Sequence, residues 1–442
     1  MFTPMPHQKD GYKFLLKNTG FFKLLNWAMG TGKTAAACLA LRETEGQALI
    51  LCKKIATEHW RRELEMLLGD DDRTVQVIKT AKDKVVGDII IASYPISTRP
   101  IMHSTLTKNE YPTVILDEVQ SLKNLRSLQT KAILGYGHFK KKSLVTKAKN
   151  VWALTGTPAP NDPSEMYPWL RVFLPDLMPR TLEKFIEKYL KSYETPWGPK
   201  IVGVNSITMP ALMKSLEPYF FHINKEDVLH DLPPMQIAEI AVDGGALMKQ
   251  ILEGEEELKD EILETLAGGN PGEHVAKLRR LIEMAKVHSV RDMVNSELAD
   301  GAYQKIVIFC HHRSVILDLV HALDDWGVSV VHGGITGDAR QKAVDDFQTG
   351  SNRIFVGQII AAGTSITLHA DGLCTNAIVL NLDWTPGNNA QCFARIHRKG
   401  QTGNVFIRCL HLADSLDQHV TATLARKTRM LDQIFGETDG TA

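Results

Sequence analysis

The stretch Ala28-Met-Gly-Thr-Gly-Lys-Thr34, followed by the helix-forming run Ala35-Ala-Ala-Cys-Leu-Ala40, constrains this chain more than any other. Glycines on either side of Thr31 let the backbone turn so that successive N–H groups converge, and the helix start behind them adds partial positive charge. Such a loop cradles phosphate, with Lys33 reaching the β- and γ-phosphates and Thr34 ligating Mg²⁺. The full pattern G-x-x-x-x-G-K-S/T wants a glycine at position 27, where this chain has Trp27. A G-x-G-K-T before a helix also arises by chance, so the rest of the chain has to decide.

Short apolar runs alternate with helical patterns along the sequence. Ala48-Leu-Ile-Leu-Cys52, Asp88-Ile-Ile-Ile-Ala-Ser93, Thr113-Val-Ile-Leu-Asp117 and Val151-Trp-Ala-Leu-Thr155 read as buried strands of a parallel sheet, with amphipathic pieces such as Thr57 to Leu68 between them. That is one α/β lobe, reaching about residue 160. Lys305 to Cys310, Val328 to His332, Arg353 to Gly357, Ala377 to Asn381 and Val405 to Cys409 form a second such set, without a second G-K-T. The 442 residues leave room for two or three domains with full cores.

Residues 160–300 differ. Proline and aromatic residues are frequent as far as Trp197-Gly-Pro199, and Asp231-Leu-Pro-Pro234 reads as a rigid connector. From Gly245 to Leu298 the pattern is helical and charged, and Ser415-Leu-Asp-Gln418 reads as a capping box opening a last helix to about Phe435. The expected fold is α/β: two doubly wound parallel-sheet lobes with helical insertions between them. The expected domains are a first lobe over 1–230 with a helical insertion at about 160–225, a connector and helical protrusion over 231–300, and a second lobe over 301–442.

With 51 basic and 51 acidic residues there is no global basic field, so binding to a polyanion must use local patches. Cys38, Cys52, Cys310, Cys374, Cys392 and Cys409 lack C-x-x-C spacing and read as buried thiols of a reducing compartment, not as a zinc site. No secretory signal opens the chain and no apolar run approaches the roughly 18 residues of a membrane span, so a cytoplasmic protein without membrane association is expected.

Asp117-Glu118 closes a strand at the carboxyl edge of the first sheet. There Asp117 would hold Mg²⁺ on a nucleotide and Glu118 would orient and deprotonate the attacking water. Leu154-Thr-Gly-Thr-Pro158 follows the next strand and is also explained as a turn. In the second lobe, Gln391-Cys-Phe-Ala-Arg-Ile-His-Arg-Lys-Gly-Gln401 places Arg395 and Arg398 on one side if it is helical. Guanidinium groups there could stabilise a transferring phosphoryl group; a basic surface helix is the plainer alternative.

Taken together, these motifs resemble the Swi/Snf-type ATPases of helicase superfamily 2. The stretch Met29 to Thr34 resembles the family's first motif, usually preceded by Asp-Glu where this chain has Trp27-Ala28. His7-Gln8-x-x-Gly11 is similar to its opening segment. Asp117-Glu-Val-Gln-Ser-Leu-Lys-Asn124 resembles D-E-x-H-x-x-K-N with Gln120 for the usual His. Leu154 to Pro158 with Asn161 and Glu165, Lys225 to Val228 before Leu232-Pro-Pro234, His332-Gly333, Arg340, Phe347-Gln348, Ala361-Ala362, Asp383-Trp384-x-Pro386 and the Gln391 to Gln401 run follow in order. His222-Ile-Asn224 stands where arginines are usual, and Gly363-Thr-Ser365 departs at its third position. The compact HepA-related or annealing-helicase branch is the most similar, and the short chain looks like a bacterial, phage or mobile-element member.

The resemblance implies RecA-like lobes, ATP with Mg²⁺ as cofactors, and double-stranded DNA, including forks or junctions, as partner. It implies nucleotide contacts from Gln8, Met29, Gly30, Thr31, Gly32, Lys33, Thr34, Gly363 and Gln391, and metal ligands Thr34 and Asp117. Lys33, Asp117, Glu118, Arg395 and Arg398 would be catalytic. Candidate DNA contacts are Lys53, Lys54, Ser93, His311, Arg313, Thr336, Ala362 and Thr364, although a polar loop explains Lys53-Lys54 equally well. The dense basic stretch Lys140 to Lys149 and the pair Arg279-Arg280 are further candidates, with solvated surface as the alternative. Two other functions compete with duplex translocation: a strand-separating or branch-migrating helicase, and a DNA-binding scaffold whose ATPase has decayed.

Overall fold

Ala48–Cys52 and Ile89–Ser93 are buried along their whole length, as strands must be when helices cover both faces of a parallel sheet. The computed structural model describes residues 3–17, 20–69, 71–195, 198–266, 272–335, 337–363, 366–413 and 415–435. It divides into two α/β units, Met1–Lys191 with Val204–His230, and Ser192–Gly203 with Asp231–Ala442.

The first unit carries β1 (Phe22–Trp27), β2 (Ala48–Cys52), β3 (Val75–Ile78), β4 (Ile89–Ser93), β5 (Thr113–Asp117) and β6 (Asn150–Thr155). A two-stranded ribbon, β7 (Leu190–Thr195) and β8 (Gly198–Val204), most of which falls in the second unit, precedes the first unit's β9 (Phe220–Ile223) in the chain. The sheet order is β3-β4-β2-β5-β6-β1-β9, all parallel. Registers align the strand ends: Asn26 pairs Thr155, Asp117 pairs Leu154, and Cys52 pairs Ser93. The loops after β1, β2, β4, β5 and β6 therefore share one edge. Helices α1 (Pro6–Leu16), α2 (Lys33–Arg42) and α3 (Thr57–Leu68) belong to this unit. Its core includes the fully buried Trp27 and Trp60 and the nearly buried Trp152.

The second unit has β10 (Met235–Val242), β11 (Lys305–Cys310), β12 (Val328–Val331), β13 (Ile354–Gln358), β14 (Cys374–Val379) and β15 (Val405–Leu412). They form a parallel sheet in the order β10-β15-β14-β11-β13-β12. Two apolar clusters cover its faces, one around Phe309, Phe347 and Phe355, the other around Ile306, Ile308 and Ile316. Helices α4 (Glu273–Ala285), α5 (Val287–Ala299), α6 (Arg313–Ala322), α7 (Pro386–Phe393) and α8 (Leu416–Phe435) pack around it.

Two doubly wound parallel sheets are thus present as expected, and the last helix ends at Phe435. The insertion at about 160–225 is not purely helical, because β7, β8 and β9 lie in it and β9 completes the first sheet beside β1. Residues after the Pro233-Pro234 connector do not go directly into helix: they form β10, held against β15 over eight register pairs. All six cysteines are buried free thiols.

Candidate active site

The loop between β1 and α2 is shaped by backbone conformation. Gly30 and Gly32 have φ of +85° and +87°, the left-handed region where glycine is favoured. Gly32 is the N-cap of α2 and lends no side chain to it, so the first N–H groups of the helix face the loop. Thr31 closes the turn by donating to the Ala28 carbonyl at 2.8 Å. Lys33 Nζ donates to the carbonyls of Trp27 (2.8 Å) and Ala28 (3.2 Å), which holds its ammonium over the loop.

The loop is clamped from outside by α1. His7 Nε2 lies 2.8 Å from the Thr31 carbonyl, and Gln8 donates to the same oxygen at 3.5 Å. A Cβ on Gly32 would lie 2.1 Å from Gln8 Nε2 and push that side chain off the loop, while the φ of +87° is what favours glycine there. Gln8 Oε1 in turn accepts from the N–H of Met5. The sequence pattern singled out Gln8 but not His7, whose role shows only once α1 lies on the loop.

Across the same edge, Asp117 ends β5. Its Oδ2 accepts from Trp60 Nε1 at 2.9 Å, and its carbonyl accepts from Tyr94 at 2.8 Å. Burial, then the adjacent Glu118, raises the Asp117 carboxyl to about 6. Glu118 sits at φ +56°, a left-handed conformation unusual for a non-glycine residue and typical of strained functional turns. Gln120 donates to Glu118 Oε2 and, at 3.3 Å, to Thr157 Oγ1, so it bridges the two motif loops. Lys123 pairs with Glu165 at 2.6 Å, and Glu165 also accepts from the Asn161 N–H at 2.8 Å. Trp60 and Tyr94 escaped the sequence reading; an indole at a fully buried point of an amphipathic helix was the available signal.

These residues fit a nucleotide with its magnesium. An uncapped helix start and two left-handed glycines suit phosphate, while a partly buried carboxylate on the same sheet edge suits a hard cation. Among the described residues no group of three or more His, Cys, Asp or Glu could hold a metal.

In the second unit, Arg395 and Arg398 lie just beyond the end of α7 in turns, not within a helix. They still share a side, because Arg395 Nη1 (3.3 Å) and Arg398 Nη1 (3.1 Å) both donate to the Ile366 carbonyl. Burial and the neighbouring Arg395 lower Arg398 to about 10. Arg340 is buried nearby, donates to the Ala361 carbonyl at 2.9 Å, and is lowered by burial and by Arg395. A cluster of desolvated guanidinium groups favours a polyanion. Gln391 and Gly363 are buried beside it, and a Cβ on Gly363 would meet Gln391 Cβ at 3.6 Å.

Several expected DNA contacts fare differently. Lys53, Lys54 and Arg313 are at least partly exposed at strand ends, as a phosphate contact needs. Ser93, just ahead of a short helix, and Ala362, the last residue of another, are buried and do not offer side chains to a duplex. His311 is turned inward, its Nε2 4.0 Å from Asp383 Oδ2, and burial followed by Arg279 lowers it to about 4. A neutral, enclosed imidazole is no phosphate ligand. Thr336 and Thr364 lie outside the described residues. Arg279 is also internal, donating to the Leu382 carbonyl at 2.7 Å with its guanidinium 4.9 Å from the Trp384 ring, whereas Arg280 is exposed. The Lys140 to Lys149 stretch precedes β6, at the amino edge of the sheet, opposite the phosphate loop. No described helix is long and apolar enough to cross a membrane.

Residues 7–292 match the SNF2-related domain and residues 285–400 the helicase conserved C-terminal domain. The chain belongs to the SNF2-related family. This SNF2-related chain is 26% identical to the Xenopus laevis SWI/SNF-related matrix-associated actin-dependent regulator of chromatin subfamily A-like protein 1, over 97% of this chain and 44% of that protein. It is 25% identical to the Mus musculus DNA annealing helicase and endonuclease ZRANB3, over 96% of this chain and 40% of that one. It therefore spans less than half the length of these relatives. The solved Sulfolobus solfataricus SWI2/SNF2 ATPase core in complex with dsDNA aligns over 98% of this chain and 97% of that chain at 18% identity, with a TM-score of 0.46.

Proposed function

We propose that this SNF2-related chain is an ATP-driven motor that moves along double-stranded DNA, with forks and junctions among its substrates. The observation that carries the reading is the shared edge of the first sheet, which gathers the loop of Gly30 to Lys33 with Asp117, Glu118 and the Thr155–Pro158 turn. Thr34 and Asp117 would hold magnesium, which supplies charge neutralisation on the phosphates. Lys33 binds the phosphate end, Gln8 sits where an adenine edge could be read, and Met29 and Thr31 line the loop. Glu118 takes the proton of the attacking water, with Gln120 holding its second oxygen in place. Arg395 and Arg398 serve the transferring phosphoryl group.

Duplex contact is assigned to the exposed cations Lys53, Lys54 and Arg313, which touch backbone and carry no sequence information. The chain is neutral overall, so a handful of such contacts must supply the affinity. Each adds about 0.9 to the slope of log affinity against log salt. The retained partners of Lys33, Asp117 and Glu118 argue against a decayed scaffold. The test is phosphate release against matched concentrations of duplex, single-stranded DNA and duplex RNA. Stimulation by duplex above the others is expected. A preference for single strands or RNA would favour the strand-separating helicase, and no hydrolysis under any condition would favour the scaffold.

A further inference from the structure

One face of α4 is unusually polar for a buried surface. Arg279 and Glu283 of α4 and Lys286, the residue that joins it to α5, recur at helical spacing, and all three are buried, Glu283 and Lys286 completely. Glu283 reaches the end of β11, Lys286 the end of β14 and β15, and Arg279 the segment after β14. Glu283 Oε1 accepts the N–H of His311 at 2.7 Å; its Oε2 accepts the N–H of His312 at 3.0 Å and faces His312 Nδ1 at 2.6 Å. Lys286 Nζ donates to the Leu380 carbonyl, to Asn381 Oδ1 at 2.7 Å and to the Leu410 carbonyl at 2.9 Å, and pairs with Asp417 at 2.5 Å. Arg279 holds the Leu382 carbonyl and stacks on Trp384.

The contacts continue sideways. The His311 carbonyl accepts from Gln358 Nε2 at 2.9 Å, and Gln358 Oε1 accepts from the Gly333 N–H at 3.1 Å. On the other side, Asp383 accepts from the Thr385 N–H and from Asn388, at the start of α7. One helix face thus ties together the loops after β11, β14 and β15, and through Gln358 those after β13 and β12. Burying three charged groups is costly and is tolerated only where geometry satisfies them. An apolar face would pack this helix as well; a carboxylate spanning two successive N–H groups fixes a loop's conformation, which apolar packing does not.

We propose that Glu283, flanked by Arg279 and Lys286, is a positioning residue that sets the pose of the His311–Arg313 loop, and so the presentation of Arg313 to the duplex backbone. The functional half rests on the duplex-motor reading; the structural half does not. His312 Nδ1 faces the Glu283 carboxylate and so carries the proton of that contact, and His311 serves as an enclosed spacer against Asp383.

Two measurements test this. In ¹⁵N-histidine spectra of the full chain, one half-exposed histidine should show a hydrogen-bonded, protonated Nδ1, and Glu283→Gln should abolish that signature. The duplex concentration giving half-maximal ATPase should rise about tenfold in Glu283→Gln, the loss of one charge-assisted hydrogen bond. A parent spectrum without the Nδ1–H signature, or a variant with unchanged spectrum or duplex requirement, overturns the proposal. If the parent ATPase ignores duplex, the motor reading fails and the spectra alone decide the positioning role. Should Glu283→Gln not fold, His312→Gln perturbs the same contact from the loop side, and an unchanged duplex requirement there overturns it equally.

Discussion

Gly11→Ala probes how the phosphate loop is held. Helix α1 crosses Trp27 at Gly11, and a Cβ there would lie 2.3 Å from both Cη2 and Cζ2 of the indole. Carbon atoms rest about 3.5–4.0 Å apart, so ring and helix must separate by roughly 1 Å or more. Trp27 cannot swing aside: it is fully buried, with His7 and Phe221 edge-on at 5.5 and 5.7 Å. The helix must lift, at about 1–3 kcal/mol for overpacking. Lifting draws His7 and Gln8 away from the Thr31 carbonyl, so nucleotide affinity should fall about tenfold, the worth of roughly 1.4 kcal/mol.

Trp27→Phe should relieve this. It deletes both clashing atoms and also the indole N–H, a buried donor with no hydrogen-bond partner among the described residues. Loss of ring contacts costs less than the roughly 3–5 kcal/mol of Trp→Ala, and removing the unsatisfied donor returns about 1–3 kcal/mol. Trp27→Phe alone should therefore lie near neutral, and the double variant should be about 1–2 kcal/mol better than additive. Titration with a fluorescent ATP analogue reads the loop, and denaturant unfolding followed separately for each unit reads the packing. Parental nucleotide affinity in Gly11→Ala, or a double variant no better than Gly11→Ala, would refute the clamp.

Glu118→Gln should bind ATP but lose about 10²–10⁴ in turnover, the range for a general base; hydrolysis near the parental rate would reassign the residue. Because Asp117 is raised to about 6 and must be ionised to hold a metal, magnesium-dependent nucleotide affinity should hold above that pH and fall below it. Glu118→Gln removes the second cause of that shift, so the fall should move to lower pH; an unmoved midpoint counts against the coupling. Lys286→Met strands Asp417 without its buried cation and should cost about 3–5 kcal/mol, most of it recovered with Asp417→Asn, and additive denaturant melts would show that the pair is not coupled. Arg398→Ala should remove most duplex-stimulated turnover while the exposed Lys399→Ala does not; equal losses would indicate a general basic patch.

Strands with unbroken apolar runs were legible in the sequence, Thr113–Asp117 and Lys305–Cys310 being found to the residue. β1 was not, because Lys23 and Asn26 interrupt it. Both are buried all the same. Lys23 donates to the Gly20 carbonyl and lies over Phe14 and Tyr219, while Asn26 bonds His222 at 2.9 Å. Partners so distant in sequence leave no local pattern. β10 hid for another reason: as an edge strand it is half-exposed, and Gln236 and Glu239 blur its periodicity. In the site, Lys33, Asp117 and Glu118 were legible because glycine spacing and a strand end determine where they point. Ser93, His311 and Ala362 are enclosed although they lie at or soon after strand ends, where alternation no longer tells inward from outward.

The departures from the usual motifs are the strongest guide to whether this site is kept in working order. Trp27 replaces a residue expected to be small or acidic, and its bulk is accommodated by Gly11, the residue at which α1 crosses the ring. Gln120 replaces a histidine and still bridges Glu118 to Thr157. His222 stands where arginine is usual and is matched by Asn26 on the neighbouring strand and by Asn224 at 2.8 Å. A site losing its function accumulates substitutions one at a time and leaves buried charges without partners, each costing several kcal/mol. Here Gln120 and His222 make hydrogen bonds, Trp27 is seated by ring packing, and the acids and bases around them, Lys33, Asp117, Lys123 and Glu165, keep their partners. Altered motif residues that are seated in this way, beside acids and bases that keep their partners, favour an ATPase in working order over a decayed one.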